Sequence, residues 1–297
     1  MKKHWKLGIL GLLIGAIVVG YLILPKGQAV PVLPVPNGYD DLLKAAQLVV
    51  SDGRRSYDDA TDAEIADLVT RNRSAIELAR IGCERDCRVA LEPNRNYWIN
   101  HGNVQNRFKL VARVFLAEGL LAERDGRTND AAHSYLDGIR FARCSSRGGC
   151  IVDRLIGMNC ENFVADRLGG LVQMLDARTC REFCKVLEAL DADTEPWEAT
   201  SQRNRIYLRT ISTPRERIID WVADLERRRK GQPRRDTPRK QHADEGSLRL
   251  RYLIVHLAKR AYRLENGKTA RQATQLVPSY LRAIPKDPFS QKEISLD

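Results

Sequence analysis

The feature that most constrains this chain is an uninterrupted apolar run at residues 7–24, which contains no charged side chain. As a helix with a rise of about 1.5 Å per residue it would be about 27 Å long, close to the roughly 30 Å hydrocarbon core of a bilayer. Lys2, Lys3 and Lys6 precede the run, and an excess of basic residues favours the cytoplasmic side. Residues 1–24 are therefore predicted to form a cytoplasmic tail and a single transmembrane anchor.

A cleaved signal peptide is the main alternative to a retained anchor. Its apolar segment would be unusually long for a signal peptide, and the only small-residue sequence that follows it, at residues 27–29, is a weak cleavage site. Under either interpretation the rest of the chain is extracytoplasmic, and the predicted location is the inner (cytoplasmic) membrane of a bacterium with the C-terminal domain outside. Residues 25–36 contain four prolines, which predict an extended stalk because Pro fixes φ and lacks a backbone N–H.

The remainder of the chain predicts an all-α fold, built as an irregular array of helical hairpins. Apolar residues recur at helical spacing, no stretch sustains a period of two, and only 6% of the residues are aromatic. A capping box, Thr61-x-x-Glu64, predicts the start of one helix that continues to about residue 80. The predicted organisation is a helical domain at 37–229, a basic mobile loop at 230–246, and at 247–297 a C-terminal helix and a Pro-containing strap packed on the helical domain.

The sequence predicts no catalytic residue and no cofactor, because it contains no nucleophile elbow, zinc-protease motif, P-loop or dinucleotide-binding motif. Residues 83–101 are predicted to form a loop, because Pro93 interrupts any helical pattern there. The most polar and aromatic cluster of the chain, residues 98–103 with Trp98 and His101, lies at the end of this segment. If the chain is an enzyme, His101 would belong to a small site there. The alternative interpretation is a loop histidine whose hydrogen bonds are satisfied.

Seven cysteines leave three interpretations open, which are buried free thiols, one or more disulfides, and a zinc site. They are Cys83 and Cys87, and Cys180 and Cys184, which form two Cys-x3-Cys pairs, together with Cys144, Cys150 and Cys160. Cys144 and Cys150 flank a Gly-Gly turn and are the candidate disulfide. The odd number leaves at least one thiol free or intermolecular. No histidine lies near either Cys-x3-Cys pair, so we predict no metal ligand.

The basic charge is local. Residues 201–271 hold twenty Lys and Arg against eight Asp and Glu, a net charge of +12, whereas the whole chain has +11. Such a run attracts anions, and aromatic residues for base stacking are few there, so a nucleic acid is an unlikely partner. The first interpretation is a solvated mobile loop flanked by charged helix faces; if the run binds a ligand, anionic envelope polymers or lipid headgroups are the expected ones. The candidate anion-binding residues are Arg227, Arg228, Arg229, Lys230, Arg234 and Arg235.

One internal segment resembles a tetratricopeptide helical hairpin. The pattern is Phe115-x3-Gly119-x6-Gly126-x4-Ala131-x3-Tyr135. In that family Gly and Ala stand where two helices touch closely, and an aromatic side chain fills the facing gap. The resemblance implies such a hairpin here and, more weakly, protein binding. An ordinary αα-hairpin is the alternative interpretation.

The C-terminal segment at residues 262–289 resembles the tail of type II secretion pseudopilins and of a broader group of bacterial membrane-anchored helical proteins. The resemblance implies a helix that ends at Gly267, a short helix, and an extended strap fixed by Pro285 and Pro288 that folds back on the body. Pseudopilins carry a Glu near the start of their apolar helix. Residues 7–24 contain no acidic residue, so pilus-like assembly is not implied, and no site residue is carried over.

The sequence thus predicts a membrane-anchored extracytoplasmic helical scaffold or protein-binding module, without apparent catalytic activity and with a protein partner. A first alternative is polyanion or membrane-surface binding through the basic region 201–271. A second alternative is an all-α enzyme of unknown reaction.

Overall fold

The computed structural model describes residues 32–54, 56–233 and 236–296. Within these residues the chain forms eleven α-helices and no β-strand, which confirms the predicted all-α class. No helix of these described ranges is long and apolar enough to cross a membrane. The apolar run 7–24 and the first part of the proline-rich segment lie outside them, so the anchor stays a prediction.

The helices follow one another through short connections. They are α1 (Gly38–Leu48), α2 (Asp62–Arg71), α3 (Arg73–Cys83), α4 (Arg95–Arg124), α5 (Thr128–Cys144), α6 (Ile151–Leu171), α7 (Ala177–Ala192), α8 (Trp197–Ile211), α9 (Pro214–Arg229), α10 (Thr237–Asn266) and α11 (Ala273–Leu276), with a 3-10 turn at Val172–Met174 after α6.

The first three helices pack along α4, with α2 at its C-terminal half, where Ile65 and Leu68 share a core with Ala117 and Leu120. Helix α1 begins at the side chain of Asn37, which accepts the backbone N–H of Tyr39 at 3.2 Å, as expected for an N-cap. Its apolar side lies on α3, where Gly82 permits close approach because a Cβ there would lie 2.7 Å from Leu42 Cδ2. The resulting core joins α1, α3, α4 and α5.

The predicted capping box is confirmed, but the helix that it opens is shorter than predicted. The Thr61 hydroxyl accepts the N–H of Glu64 at 3.3 Å, and Glu64 Oε2 accepts the N–H of Thr61 at 2.8 Å. The helix ends at Arg71 because Asn72 interrupts it: the Asn72 side chain exchanges hydrogen bonds with the backbone of Val50 at 2.7 and 3.0 Å. An Asn side chain competes with the helical backbone in this way, and here it also ties the α2–α3 junction to the end of α1.

The centre of the molecule is a layered stack in which α4 packs on α5, α5 on α6, α6 on α10, and α10 on α7. At the α4–α5 contact, a Cβ at Gly119 would lie 2.2 Å from the ring of Tyr135. Glycine is required at position 119 because the Tyr135 ring occupies the space that a Cβ would need. The tetratricopeptide-like pattern predicted this pairing, but any tightly packed αα-hairpin can contain it, so the family resemblance stays a prediction.

The C-terminal segment lies on α7 and α10. Helix α10 ends at Gly267, which has a φ of 68°, the left-handed conformation that Gly adopts without strain. Beyond it, Leu281 and Ile284 are buried in the same core as α5, α6, α7 and α10. Arg251 donates to the Lys286 carbonyl at 2.6 Å, which holds the segment against the body.

The predicted loop 230–246 is wrong over its second half, because α10 begins at Thr237. Pro238 is in the first turn, where its missing N–H costs no intrahelical hydrogen bond. Lys240 and Asp244 form an i,i+4 ion pair at 2.8 Å. Gly246 packs against α6, since a Cβ there would lie 2.5 Å from Met158 Sδ. Tertiary packing therefore favours helix in a segment whose composition is typical of a loop.

Two glycines of α4 test the α4–α5 contact against a matched control. We expect Gly119→Ala to lower the free energy of unfolding by about 1–3 kcal/mol, because the new methyl group must displace the Tyr135 ring. Gly102→Ala, in the same helix with no atom within 4 Å of the added Cβ, should instead raise it by up to about 1 kcal/mol through helix propensity. Urea unfolding followed by circular dichroism measures both; equal effects would contradict the close contact.

Candidate functional site

Helix α9 differs from the others because none of its side chains is buried. It begins at a capping box, in which the Thr213 hydroxyl accepts the N–H of Glu216 at 3.3 Å, and Pro214 occupies the first turn. The Glu216 side chain also binds Arg95 of α4 at 3.1 Å. The local sequence thus forms a well-started helix that is attached to the body on one side only.

The apolar side of α9 faces solvent. Ile218, Trp221, Val222 and Leu225 are spaced i, i+3, i+4 and i+7 and so share one side of the helix. Their exposed fractions are 46%, 46%, 41% and 54%. We call these four residues the α9 face. Burial of such a face against a core is what normally stabilises an amphipathic helix in a globular protein, and within the described residues nothing buries it.

The opposite side of α9 is less exposed than the α9 face. Glu216, Ala223 and Arg227 are partly buried, and they lie on the side opposite the α9 face at the roughly 3.6-residue period of a helix. The Nε atom of Arg227 is buried without a hydrogen-bond partner among the described residues. The helix is therefore oriented with its apolar side outward, the reverse of the usual arrangement.

Basic side chains surround the C-terminal end of the α9 face. Arg228, Arg229 and Lys230 are exposed there, and Arg228 pairs with Asp224 at 2.8 Å. Of the predicted anion-binding residues, these three are exposed together, whereas Arg227 is partly buried. The remaining two, Arg234 and Arg235, lie outside the described residues. The result is an apolar strip that ends in a cluster of cations.

A second candidate site is a cavity of about 220 Å³ at the ends of α3 and α5. Helices α6 and α10 and the segment before α8 complete its wall. The side chains that line it include those of Cys83, Cys87, Cys144, Arg147 and Arg154.

Three thiols meet in the wall of this cavity. Cys83 is the last residue of α3, Cys144 is the last residue of α5, and both line the cavity together with Cys87, whose thiol donates to the Gly82 carbonyl at 3.2 Å. Cys150 begins α6, where its backbone N–H donates to Asp153 at 2.7 Å. Both Cys144 and Cys150 are free thiols, so the predicted disulfide between them is absent, because the fold directs Cys144 to a different pair of thiols.

The electrostatics of the cluster favour one thiolate. Hydrogen bonds from Cys83 and Cys87, together with the positive charges of Arg147 and Arg140, lower the pKa of Cys144 to about 4. The same hydrogen bonds raise the pKa of both donor thiols. In the remaining four cysteines burial raises the pKa. The directions of these shifts favour deprotonation of Cys144 over that of Cys83 and Cys87.

Arg154 gives the cavity wall a positive charge. Its guanidinium donates to the Glu195 carbonyl at 2.6 Å and to the Thr200 hydroxyl at 3.3 Å, and it lies 5.6 Å from the Trp197 ring centre. No carboxylate of the described ranges is within ion-pair distance of it. Burial and the neighbouring Arg143 lower the pKa of Arg154, so an anionic group in the cavity would stabilise its charged form.

The described part of the chain contains no group of three or more His, Cys, Asp or Glu side chains arranged to hold a metal ion.

His101 is in helix α4 and not in a loop, so the predicted loop 83–101 is wrong from Arg95 onward. Asn94 caps α4 by accepting the N–H of Tyr97 at 2.6 Å. A strong N-cap directly after Pro93 therefore starts a helix that Gly102 does not interrupt. The Asn100 and Asn103 side chains are exposed, away from the buried His101, so the structure does not gather the predicted polar cluster into one site.

The histidine instead forms a buried polar network. His101 Nε2 lies 2.5 Å from Asp153 Oδ1, and Gln105 donates to the same oxygen. The Tyr97 ring stacks on the imidazole with 5.0 Å between ring centres. His101 is 3% exposed and Asp153 fully buried, so a substrate cannot reach either side chain. The geometry favours the structural interpretation of His101.

No protein-family model matches this chain, and no curated protein or solved structure is significantly similar to it. The tetratricopeptide-like and pseudopilin-like resemblances therefore stay predictions.

The amino-acid sequence alone shows only part of each candidate site. The spacing of Ile218, Trp221, Val222 and Leu225 is visible in the sequence, but periodicity does not say which side of a helix faces the body. The approach of Cys144 to Cys83 has no local signal, because it depends on how α3 and α5 pack.

The role of the His101 network is testable by stability. We expect His101→Ala to lower the free energy of unfolding by about 3 kcal/mol, because it leaves the buried Asp153 carboxylate with fewer partners. His242→Ala removes an exposed histidine and should change stability by less than about 0.5 kcal/mol. Urea unfolding distinguishes the two, and a His101 variant as stable as the parent would contradict the structural role.

Proposed function

We propose that this protein is a membrane-anchored helical module that holds its extracytoplasmic domain against an anionic lipid surface through helix α9. The observation that supports this most strongly is the orientation of α9, with Ile218, Trp221, Val222 and Leu225 exposed on the outside. The basic residues at its end supply the matching charge. The proposal makes the membrane-surface alternative more specific, since it assigns the contact to α9.

The physical properties of α9 suit a bilayer interface. Interfacial helices combine an apolar side that enters the headgroup region with Lys and Arg at its border. Trp is enriched at this depth because its ring is apolar and its N–H polar. Each basic residue near an anionic surface contributes about 1 kcal/mol, so Arg228, Arg229 and Lys230 would add to the burial of the α9 face.

A lipid surface suits α9 better than the other expected partners. A polyanion would neutralise the basic residues but leave the α9 face in water. A protein partner would need a surface that is both apolar and acidic, and the predicted scaffold function depends on such a partner. A bilayer rich in anionic lipids has both properties.

The predicted anchor and stalk would strengthen a weak surface contact. An extended proline-rich segment spans about 3.1 Å per residue, so residues 25–36 would keep the domain within a few nanometres of the bilayer. A tethered contact is effectively intramolecular, so the anchor would add to the affinity that the α9 face and its basic residues have for an anionic bilayer on their own.

The test uses the full chain held in nanodiscs of zwitterionic lipid and mixed with vesicles that are then floated. We expect it to float with phosphatidylglycerol vesicles and not with phosphatidylcholine vesicles. Added salt should weaken flotation, because the screening length falls from about 30 Å at 0.01 M to about 10 Å at 0.1 M. Leu225→Asp should reduce the affinity at least about tenfold, since it replaces an inserted apolar side chain with a charge.

Met174→Asp is the matched control, because Met174 is also exposed, at 60%, but lies far along the chain from α9. It should float like the parent. Flotation of the Leu225 variant equal to that of the parent would overturn the proposal. Self-association of the nanodiscs through α9, without vesicle binding, would also overturn the proposal. It would assign the α9 face to a contact with a second copy of the chain.

A further inference from the structure

We propose that the core binds an internal water molecule between the hydroxyl groups of Tyr39 and Tyr97 and the carboxylate of Asp153. The water joins α1, the first helix after the predicted stalk, to α4 and α6. The site lies in the protein interior, so it does not depend on the membrane-docking proposal.

The two tyrosine hydroxyl groups are the main evidence for a bound molecule. Tyr39 is 2% exposed, and the hydroxyl oxygens of Tyr39 and Tyr97 are both buried without a hydrogen-bond partner among the described residues. In folded proteins the great majority of buried polar groups are bonded to another protein group or to an ordered water. Two such hydroxyl groups in one part of the core therefore indicate a bound polar molecule.

Contacts along α4 place both tyrosines beside one carboxylate. The Tyr97 ring stacks on the imidazole that binds Asp153, and the Tyr39 ring lies 5.8 Å from the Phe108 ring. Gln105, whose amide donates to the same carboxylate, is one helical turn before Phe108. Both tyrosines therefore pack within one helical turn of a side chain that binds Asp153.

The electrostatics of the hydroxyl groups agree with this placement. Burial is the largest cause that raises the pKa of Tyr39 and of Tyr97. After burial, the charge of Asp153 has the largest effect on the pKa of Tyr97, and Tyr97 and then Asp153 have the largest effects on the pKa of Tyr39. Because such effects weaken with distance, the three groups are close neighbours.

The bonding capacity of the site matches one water molecule. Asp153 Oδ1 accepts from Gln105 and lies 2.5 Å from His101 Nε2, whereas Oδ2 accepts the Cys150 N–H at 2.7 Å. A carboxylate oxygen has two lone pairs, so Oδ2 can accept a second bond. A water that accepts from the two tyrosine hydroxyl groups and donates to Oδ2 makes about three hydrogen bonds, the usual number for a buried water.

Water suits the site better than an ion. An anion would be repelled by the Asp153 carboxylate. A cation would bind the carboxylate, but the hydroxyl groups would then turn their oxygen lone pairs toward it and their hydrogen atoms away from it, so both would still lack an acceptor. Only a molecule that both accepts and donates hydrogen bonds satisfies all three groups.

The first test is a double-mutant cycle on the full chain in nanodiscs, with Tyr39→Phe and Tyr97→Phe, which remove one hydroxyl group each and keep the rings. We expect each variant to raise the equilibrium constant of urea unfolding about fivefold or more, because each loses a bond to the water and weakens the other bonds of the water. The double variant should raise it by less than the product of the two single effects. Tyr252→Phe is the control. It removes the hydroxyl group of a residue that is 44% exposed and should leave the constant unchanged.

Hydroxyl groups without any partner would behave in the opposite way. Removal of a buried, unbonded hydroxyl group relieves a desolvation cost, so such a variant is as stable as the parent or more stable. An unchanged or lower unfolding constant in either Tyr39→Phe or Tyr97→Phe, or single effects that simply multiply in the double variant, would overturn the proposal.

A crystal structure of the full chain, grown from lipid, separates a water from a direct bond and does not depend on the variants. We expect electron density for a single oxygen atom at about 2.7–2.8 Å from each of the Tyr39 and Tyr97 hydroxyl oxygens and from Asp153 Oδ2. A direct bond between the two hydroxyl groups, a protein group in this position, or the absence of such density would contradict the assignment of a water site.

Discussion

The close packing of α4 on α5 is the constraint on which the rest of the structure depends. Helix α4 contributes buried side chains to three parts of the core, with Phe108 and Phe115 on one side, Ala117 and Leu120 on another, and Ala122 on a third. Its distance from α5 is set where Gly119 meets the Tyr135 ring. The buried Asp153 network then joins α4 to the start of α6, so the central helices are positioned by one close contact and one polar network.

Both candidate sites follow from this core. Helices α1 to α7 and α10 bury their apolar sides among themselves, so the body does not need α9 for stability, and α9 can carry an exposed apolar side. The convergence of α3 and α5 brings the Cys83 and Cys144 residues that end them together. The protein therefore combines a stable helical body with an exposed apolar helix face and a cavity that is lined by three cysteines.

The sequence predicted those parts of the fold that depend on local chemistry. The capping box at Thr61 and the turn at Gly267 are local signals, and α2 begins and α10 ends where these signals predict. The segments at 83–101 and 230–246 were interpreted as loops because of their prolines. Pro93 instead stands just before the N-cap of α4, and Pro238 stands inside the first turn of α10, where each is compatible with a helix. The thiol cluster and the outward orientation of α9 depend on long-range packing, which periodicity and composition do not contain.

The most direct test of the account is the location of the Trp221 side chain in the reconstituted full chain. Trp221 emission is taken as the difference between a Trp5→Phe variant, which lacks the tryptophan next to the predicted anchor, and a variant that also carries Trp221→Phe; both keep Trp98 and Trp197. Bilayers whose lipids carry bromine on their acyl chains should quench this difference when they contain anionic lipid, and should not do so when they are zwitterionic. Emission that is insensitive to bromine and equally accessible to aqueous acrylamide in both bilayers would contradict the account.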